Sequence, residues 1–138
     1  MRSTLKTVLA LSALTIATTA HAGDPNLRVG QTHEGRLDNT SRPSDGGGRS
    51  QDFMLELAAD QLVAISAKSD DFDPVVILFG PEGQLVGEND DRGDDDTNAL
   101  LVTGTGEAGT YRVRVNSYGS GDSASGAFTL KATVVADD

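Results

Sequence analysis

The stretch Glu88-Asn89-Asp90-Asp91-Arg92-Gly93-Asp94-Asp95-Asp96 is the densest run of oxygen donors in the chain. Calcium takes about six to eight oxygen ligands from carboxylates, Asn side chains and backbone carbonyls, and this run offers all three. It lacks the alternating D-x-D-x-D-G spacing of an EF-hand. On composition alone a solvated acidic loop explains it equally well. Spacing adds a further carboxylate. Gly80-Pro81-Glu82-Gly83 signals a turn. A hairpin closed there, with Phe79 opposite Gln84, pairs Ile77 with Val86, Val75 with Glu88 and Asp73 with Asp90. Directly opposed carboxylates repel unless a cation or a proton lies between them. The expected calcium ligands are therefore Asp73, Asp90 and Asp91, with Asp94, Asp95 and Asp96 as auxiliaries.

Other chemistry is poorly supplied. Gly121-Asp122-Ser123 resembles the surroundings of a serine nucleophile, but such a serine needs a nearby base, usually His, oriented by an acid. Beyond residue 22 the sequence holds one histidine, His33, and it falls in an expected strand. One histidine and no cysteine cannot supply a zinc site. Paired carboxylates serve glycoside hydrolysis, yet acids are so abundant here that chance pairs are expected. Trp is absent, and Tyr118 is the one ring expected to be exposed to a sugar. Asn39-Thr40-Ser41 fits a glycosylation sequon, read here as plain loop.

The elements that must position these groups follow from the rest of the chain. Residues 1–22 read as a secretory signal: Arg2 and Lys6, an apolar run from Val8 to Ala20, and the small-x-small site Ala20-His21-Ala22. The run is shorter than the roughly 20 apolar residues of a membrane span, and no cysteine offers a lipid anchor. An exported chain of residues 23–138, periplasmic or secreted, is the expectation. The net charge is −10, and removal of Arg2 and Lys6 makes it −12. That surface repels nucleic acid and anionic lipid. It suits divalent cations or basic partners, though solubility alone also accounts for it.

Beyond the signal the pattern is one of strands and turns. Phe53, Leu55 and Leu57 alternate with polar residues, as do Val63, Ile65 and Ala67. Tyr111, Val113 and Val115 alternate with Arg112, Arg114 and Asn116, and Phe128, Leu130 and Ala132 continue the pattern. Val75 to Phe79 is apolar on both faces, as a central strand would be. Gln84–Glu88 and Ala99–Thr103 are further strands, with weaker ones at Leu27–Val29 and His33–Leu37. Asn39–Ser50 and Tyr118–Gly126 read as loops. About eight short strands with regular turn signals predict an all-β fold: a single antiparallel β-sandwich. Its expected core is Phe53, Leu55, Ile65, Ile77, Tyr111, Val113, Val115, Phe128 and Leu130.

Five segments, in order, carry a resemblance. They are Gln51-Asp52-Phe53-Met54-Leu55, Asp71-Phe72-Asp73-Pro74-Val75, Gly80-Pro81-Glu82-Gly83 with Asn89-Asp90-Asp91, Ala108 to Val113 with Ser117-Tyr118-Gly119, and Gly126 to Leu130. Together they resemble the bacterial pre-peptidase C-terminal domain family. The resemblance implies a jelly-roll-like sandwich that is not catalytic and usually follows a secreted peptidase. It also implies kinship with collagenase domains that bind collagen and calcium. The opening that carries calcium ligands in those relatives is reduced here to Gly23-Asp24-Pro25-Asn26. Should calcium bind there instead, Asp24, Asn26 and Asp52 are the residues to expect. The expected function is an exported, non-catalytic binding or stabilising module, with calcium as its cofactor. Its partner is a protein or polysaccharide ligand, or a secreted peptidase. A small secreted hydrolase and a structural or adhesive surface protein are the alternatives.

Overall fold

The computed structural model describes residues 23–44, 46–91 and 96–135. Nine strands follow in chain order: β1 (Thr32–Leu37), β2 (Arg42–Pro43), β3 (Arg49–Leu57), β4 (Leu62–Lys68), β5 (Asp73–Phe79), β6 (Leu85–Asn89), β7 (Ala99–Gly104), β8 (Gly109–Tyr118) and β9 (Gly126–Val135). One sheet has the order β1-β9-β4-β7 and the other β2-β3-β8-β5-β6. From β3 onward successive strands pass between sheets in the manner of a jelly roll, with β5 and β6 joined as a hairpin. The fold class is the one expected.

Period-2 alternation decides which side chains fill the space between the sheets. Phe53, Leu55, Ile65, Tyr111, Val113, Val115, Phe128 and Leu130 are all buried there. Ile77 is a correction. In β5 the inward residues are Pro74, Val76 and Leu78, whereas Val75, Ile77 and Phe79 are half-buried on the outer face. A central strand with an apolar outer face gives no alternation from which to tell in from out. Arg114 partly compensates, its guanidinium 5.0 Å from the Phe79 ring centroid.

Two further differences concern the early chain. Residues 27–29 form no strand; Asn26 makes an isolated parallel bridge to Met54, and the Leu27 side chain is buried. The Asn39–Ser50 loop contains the short edge strand β2, which pairs Arg42 with Ser50 and Pro43 with Arg49. Proline suits an edge, where no ladder donor is required of it.

Residues 69–73 are organised by side chains. The Ser69 hydroxyl accepts from the backbone N–H groups of Asp71 and Phe72 at 3.1 Å and donates to the Ala127 carbonyl at 2.7 Å. An Asp71 carboxylate oxygen accepts from the Ala127 N–H at 2.8 Å. Phe72 is buried and meets Phe128 edge-on, ring centroids 6.1 Å apart. The start of β5 is thereby tied to the start of β9, which leaves Asp73 to face outward.

Candidate functional site

The hairpin β5–β6 sets the geometry around Asp73. Its register pairs Val76 with Asn89, Ile77 with Glu88, Leu78 with Gly87 and Phe79 with Leu85, with a bulge between Leu78 and Phe79. The expected register, which opposed Asp73 to Asp90, is therefore corrected by two residues. The turn is closed by Gly80 N–H to the Gln84 carbonyl at 2.7 Å, and the bulge takes up the extra residue. A shift of two keeps the faces, so Asp73 and Asp90 remain on the same side of the sheet.

Proximity survives the shift. Burial raises the pKa of Asp73, and the Asp91 and Asp90 carboxylates raise it further. One Asp73 oxygen, Oδ1, is buried and has no hydrogen-bond partner among the described residues. Asn116 Oδ1 is in the same condition. Because β8 pairs Tyr118 with Asp73 and Asn116 with Val75, Asn116 is the diagonal neighbour of Asp73 on the outer face. Sequence reasoning missed Asn116, since only the β5–β8 register brings it to Asp73. Asp90 and Asp91 are exposed.

Asp94 and Asp95 lie outside the described residues. Asp96 Oδ1 accepts from the Asn98 N–H at 2.9 Å, an Asx turn leading into β7. Among the described residues no three His, Cys, Asp or Glu side chains converge closely enough to hold a metal by themselves. A cation at Asp73 would draw on the Asn116 amide oxygen and on backbone carbonyls or water as well.

Asp52 serves differently. Its side chain is 2% exposed and is surrounded by arginines: Arg114 Nε at 2.7 Å, Arg42 Nη1 at 3.1 Å and Arg112 Nε at 3.8 Å. A metal ion at Asp52 would face three guanidinium charges, although Asp24 and Asp52 line one cavity. Ser123 donates its hydroxyl to the Ser120 carbonyl at 2.8 Å within a short 3-10 turn, Gly121–Ala124. His33 stands edge-on to Phe53, ring centroids 4.8 Å apart. Tyr111 is buried and donates to the Glu107 carbonyl, while Tyr118 is 73% exposed.

Residues 49–117 match the family model of the bacterial pre-peptidase C-terminal domain. No curated protein matches the chain. Among solved structures, the chain is similar to the pre-peptidase C-terminal domain of collagenase from Bacillus anthracis. The TM-score is 0.58 at 12% identity, over 79% of this chain and 93% of that one. It is also similar to PliG, a periplasmic inhibitor of g-type lysozyme. The Aeromonas hydrophila protein matches with a TM-score of 0.52 at 16% identity, over 82% of this chain and 100% of that one. The Salmonella Typhimurium protein gives 0.52 at 14%, over 80% and 98%. At such identities these likenesses speak for the fold alone. With half of its length matched by the family model, and with the five motifs in order along a jelly roll, the chain belongs to the bacterial pre-peptidase C-terminal domain family.

Proposed function

We propose that this chain is an exported, non-catalytic binding module that engages a protein partner and holds calcium at Asp73. One observation carries the reading. The groups best suited to catalysis have structural roles, while the Asp73 and Asn116 oxygens lie buried without a partner among the described residues. A buried acceptor without a donor is costly, and a cation satisfies several such oxygens at once. Asp90 and Asp91 complete the carboxylate set, with Asp94, Asp95 and Asp96 as auxiliaries from the loop that follows. The Asn116 amide contributes a neutral oxygen. No helix among the described residues is long and apolar enough to cross a membrane. Export and a protein partner rest on the signal-like residues 1–22 and on the periplasmic inhibitors that share the fold.

Calcium titrated into chelator-stripped protein should raise the melting temperature, because the ion binds the folded state alone. Magnesium should raise it less, since it gives up its octahedral water shell reluctantly. Asp73→Asn/Asp90→Asn should abolish most of the calcium shift. No shift in the wild type at millimolar calcium would remove calcium from the proposal, and an equal shift in the double variant would move the site. Purified protein should show no turnover of peptide, ester or glycoside substrates. Turnover that disappears in Ser123→Ala or His33→Ala would overturn the non-catalytic reading.

A further inference from the structure

The outer face of the five-stranded sheet is neither uniformly polar nor uniformly apolar. On it a shallow groove of about 320 Å³ is lined by Arg42 and Arg114 on one side, Ile77 and Phe79 along the floor, and Leu85 and Glu88 on the other. Strand register orders these groups across the sheet. One row runs Asp52, Arg114, Ile77, Glu88, and the next runs Met54, Arg112, Phe79, Leu85. Cations therefore occupy the β2–β3–β8 side, carboxylates the β6 edge, and apolar groups the strip between.

The two charged sides are unbalanced. The one buried carboxylate of Asp52 is shared by three guanidiniums, and the Arg42 and Arg112 side chains are 61% and 47% exposed. These exposed arginine heads sit on a chain whose net charge is −10. Opposite them, Glu88 is exposed and forms no ion pair among the described residues, with exposed Asp90 and Asp91 just beyond. Leu85 is 61% exposed beside them. Arginine with aromatic side chains is a composition enriched in protein interfaces.

We propose that this face is self-complementary and docks a second copy of the chain about a two-fold axis parallel to its strands. An axis over the boundary of β8 and β5 lays β6 of one copy over β3 of the other. Each row then meets its own reverse. Glu88 of the second copy comes over the arginine heads that cap Asp52, and Leu85 comes over Met54. Ile77 and Phe79 lie over the stems of Arg114 and Arg112, which offer apolar length beneath a charged head. A two-fold axis repeats every contact twice. Repulsion between two acidic bodies opposes the approach, but salt screens it over about 8 Å at physiological ionic strength. Short-range complementarity therefore decides the outcome.

Sedimentation velocity on the signal-free chain, from about 1 μM to about 1 mM, tests this. The wild type should pass from monomer to dimer across that range. Glu88→Arg and Arg42→Glu should each raise the dimer dissociation constant about tenfold or more, as close interfacial charge pairs do. The two reversals combined in one chain should restore the dimer. Arg42 borders the buried Asp52, so its reversal could unfold the chain; melting curves check each variant. Leu85→Glu touches none of the Asp52 hydrogen bonds and should dissociate the dimer with the fold intact. A wild type that stays monomeric at the highest concentration overturns the proposal. So does a dimer indifferent to Glu88→Arg and Leu85→Glu, or a folded double reversal that remains monomeric.

Discussion

Burial and the neighbouring Asp91 and Asp90 carboxylates raise the Asp73 pKa above the ordinary aspartate value. The sign follows from linkage. A folded-state value above the unfolded one means that protonated Asp73 favours folding. That contribution is complete below the unfolded value and is lost as pH rises through the raised one. At neutral pH without metal, ionised Asp73 works against the fold. Asp73→Asn should therefore raise the melting temperature in chelator at pH 7 and flatten its change with pH in the acidic range. A lower melting temperature under those conditions would contradict the account. Asp52 is a buried carboxylate held by the Arg42 and Arg114 guanidiniums. Asp52→Asn should lower stability by about 1–3 kcal/mol in urea unfolding, the usual range for a lost hydrogen bond to a charged group that leaves donors unsatisfied.

At the scale of elements, the link between β5 and β9 depends on a glycine. Gly126 has φ +145°, and a Cβ there would lie 2.2 Å from the Asp71 Cβ. Gly126→Ala should cost roughly 1–3 kcal/mol through backbone strain, with the clash in addition. Asp71→Gly removes that Cβ and should relieve the clash but not the strain, so the two changes should be non-additive in a double-mutant cycle. This link shows what the sequence could and could not convey. Alternation made β3, β4, β8 and β9 legible, because one side of each is apolar and the other polar. Ile77 was misplaced because β5 is apolar on both sides. The Asp73–Asp90 opposition was misplaced because a bulge leaves no mark on composition. Asn116 was invisible as a neighbour of Asp73 because β5 and β8 are far apart in sequence, and only their pairing joins them. The arginine cluster needed the same long-range pairing, bringing β2, β3 and β8 together around Asp52.

For the whole molecule, the net charge of −10 acts on a fold with no disulfide to hold it. Like charges spread over one compact body destabilise it through self-repulsion, and added salt screens that repulsion. The melting temperature should rise with sodium chloride in the presence of chelator, as followed by circular dichroism. A fall would mean that attractive pairs, such as those on Asp52, outweigh the general repulsion.

The pairing of β1 with β9 carries a consequence for mechanical load. Thr32, where β1 begins, lies opposite Lys131 near the end of β9, and Leu37, where β1 ends, lies opposite Gly126. The first and last strands are neighbours, and the residues where β1 begins and β9 ends lie at the same end of the sheet. A force pulling those ends apart meets the ladder hydrogen bonds one at a time, since they lie perpendicular to the strands. β1 should peel from β9 like a zipper rather than slide along it. In single-molecule stretching between Thr32 and Val135, rupture should come at lower force than when the chain is held at Leu37 and Val135, which loads the same ladder in shear.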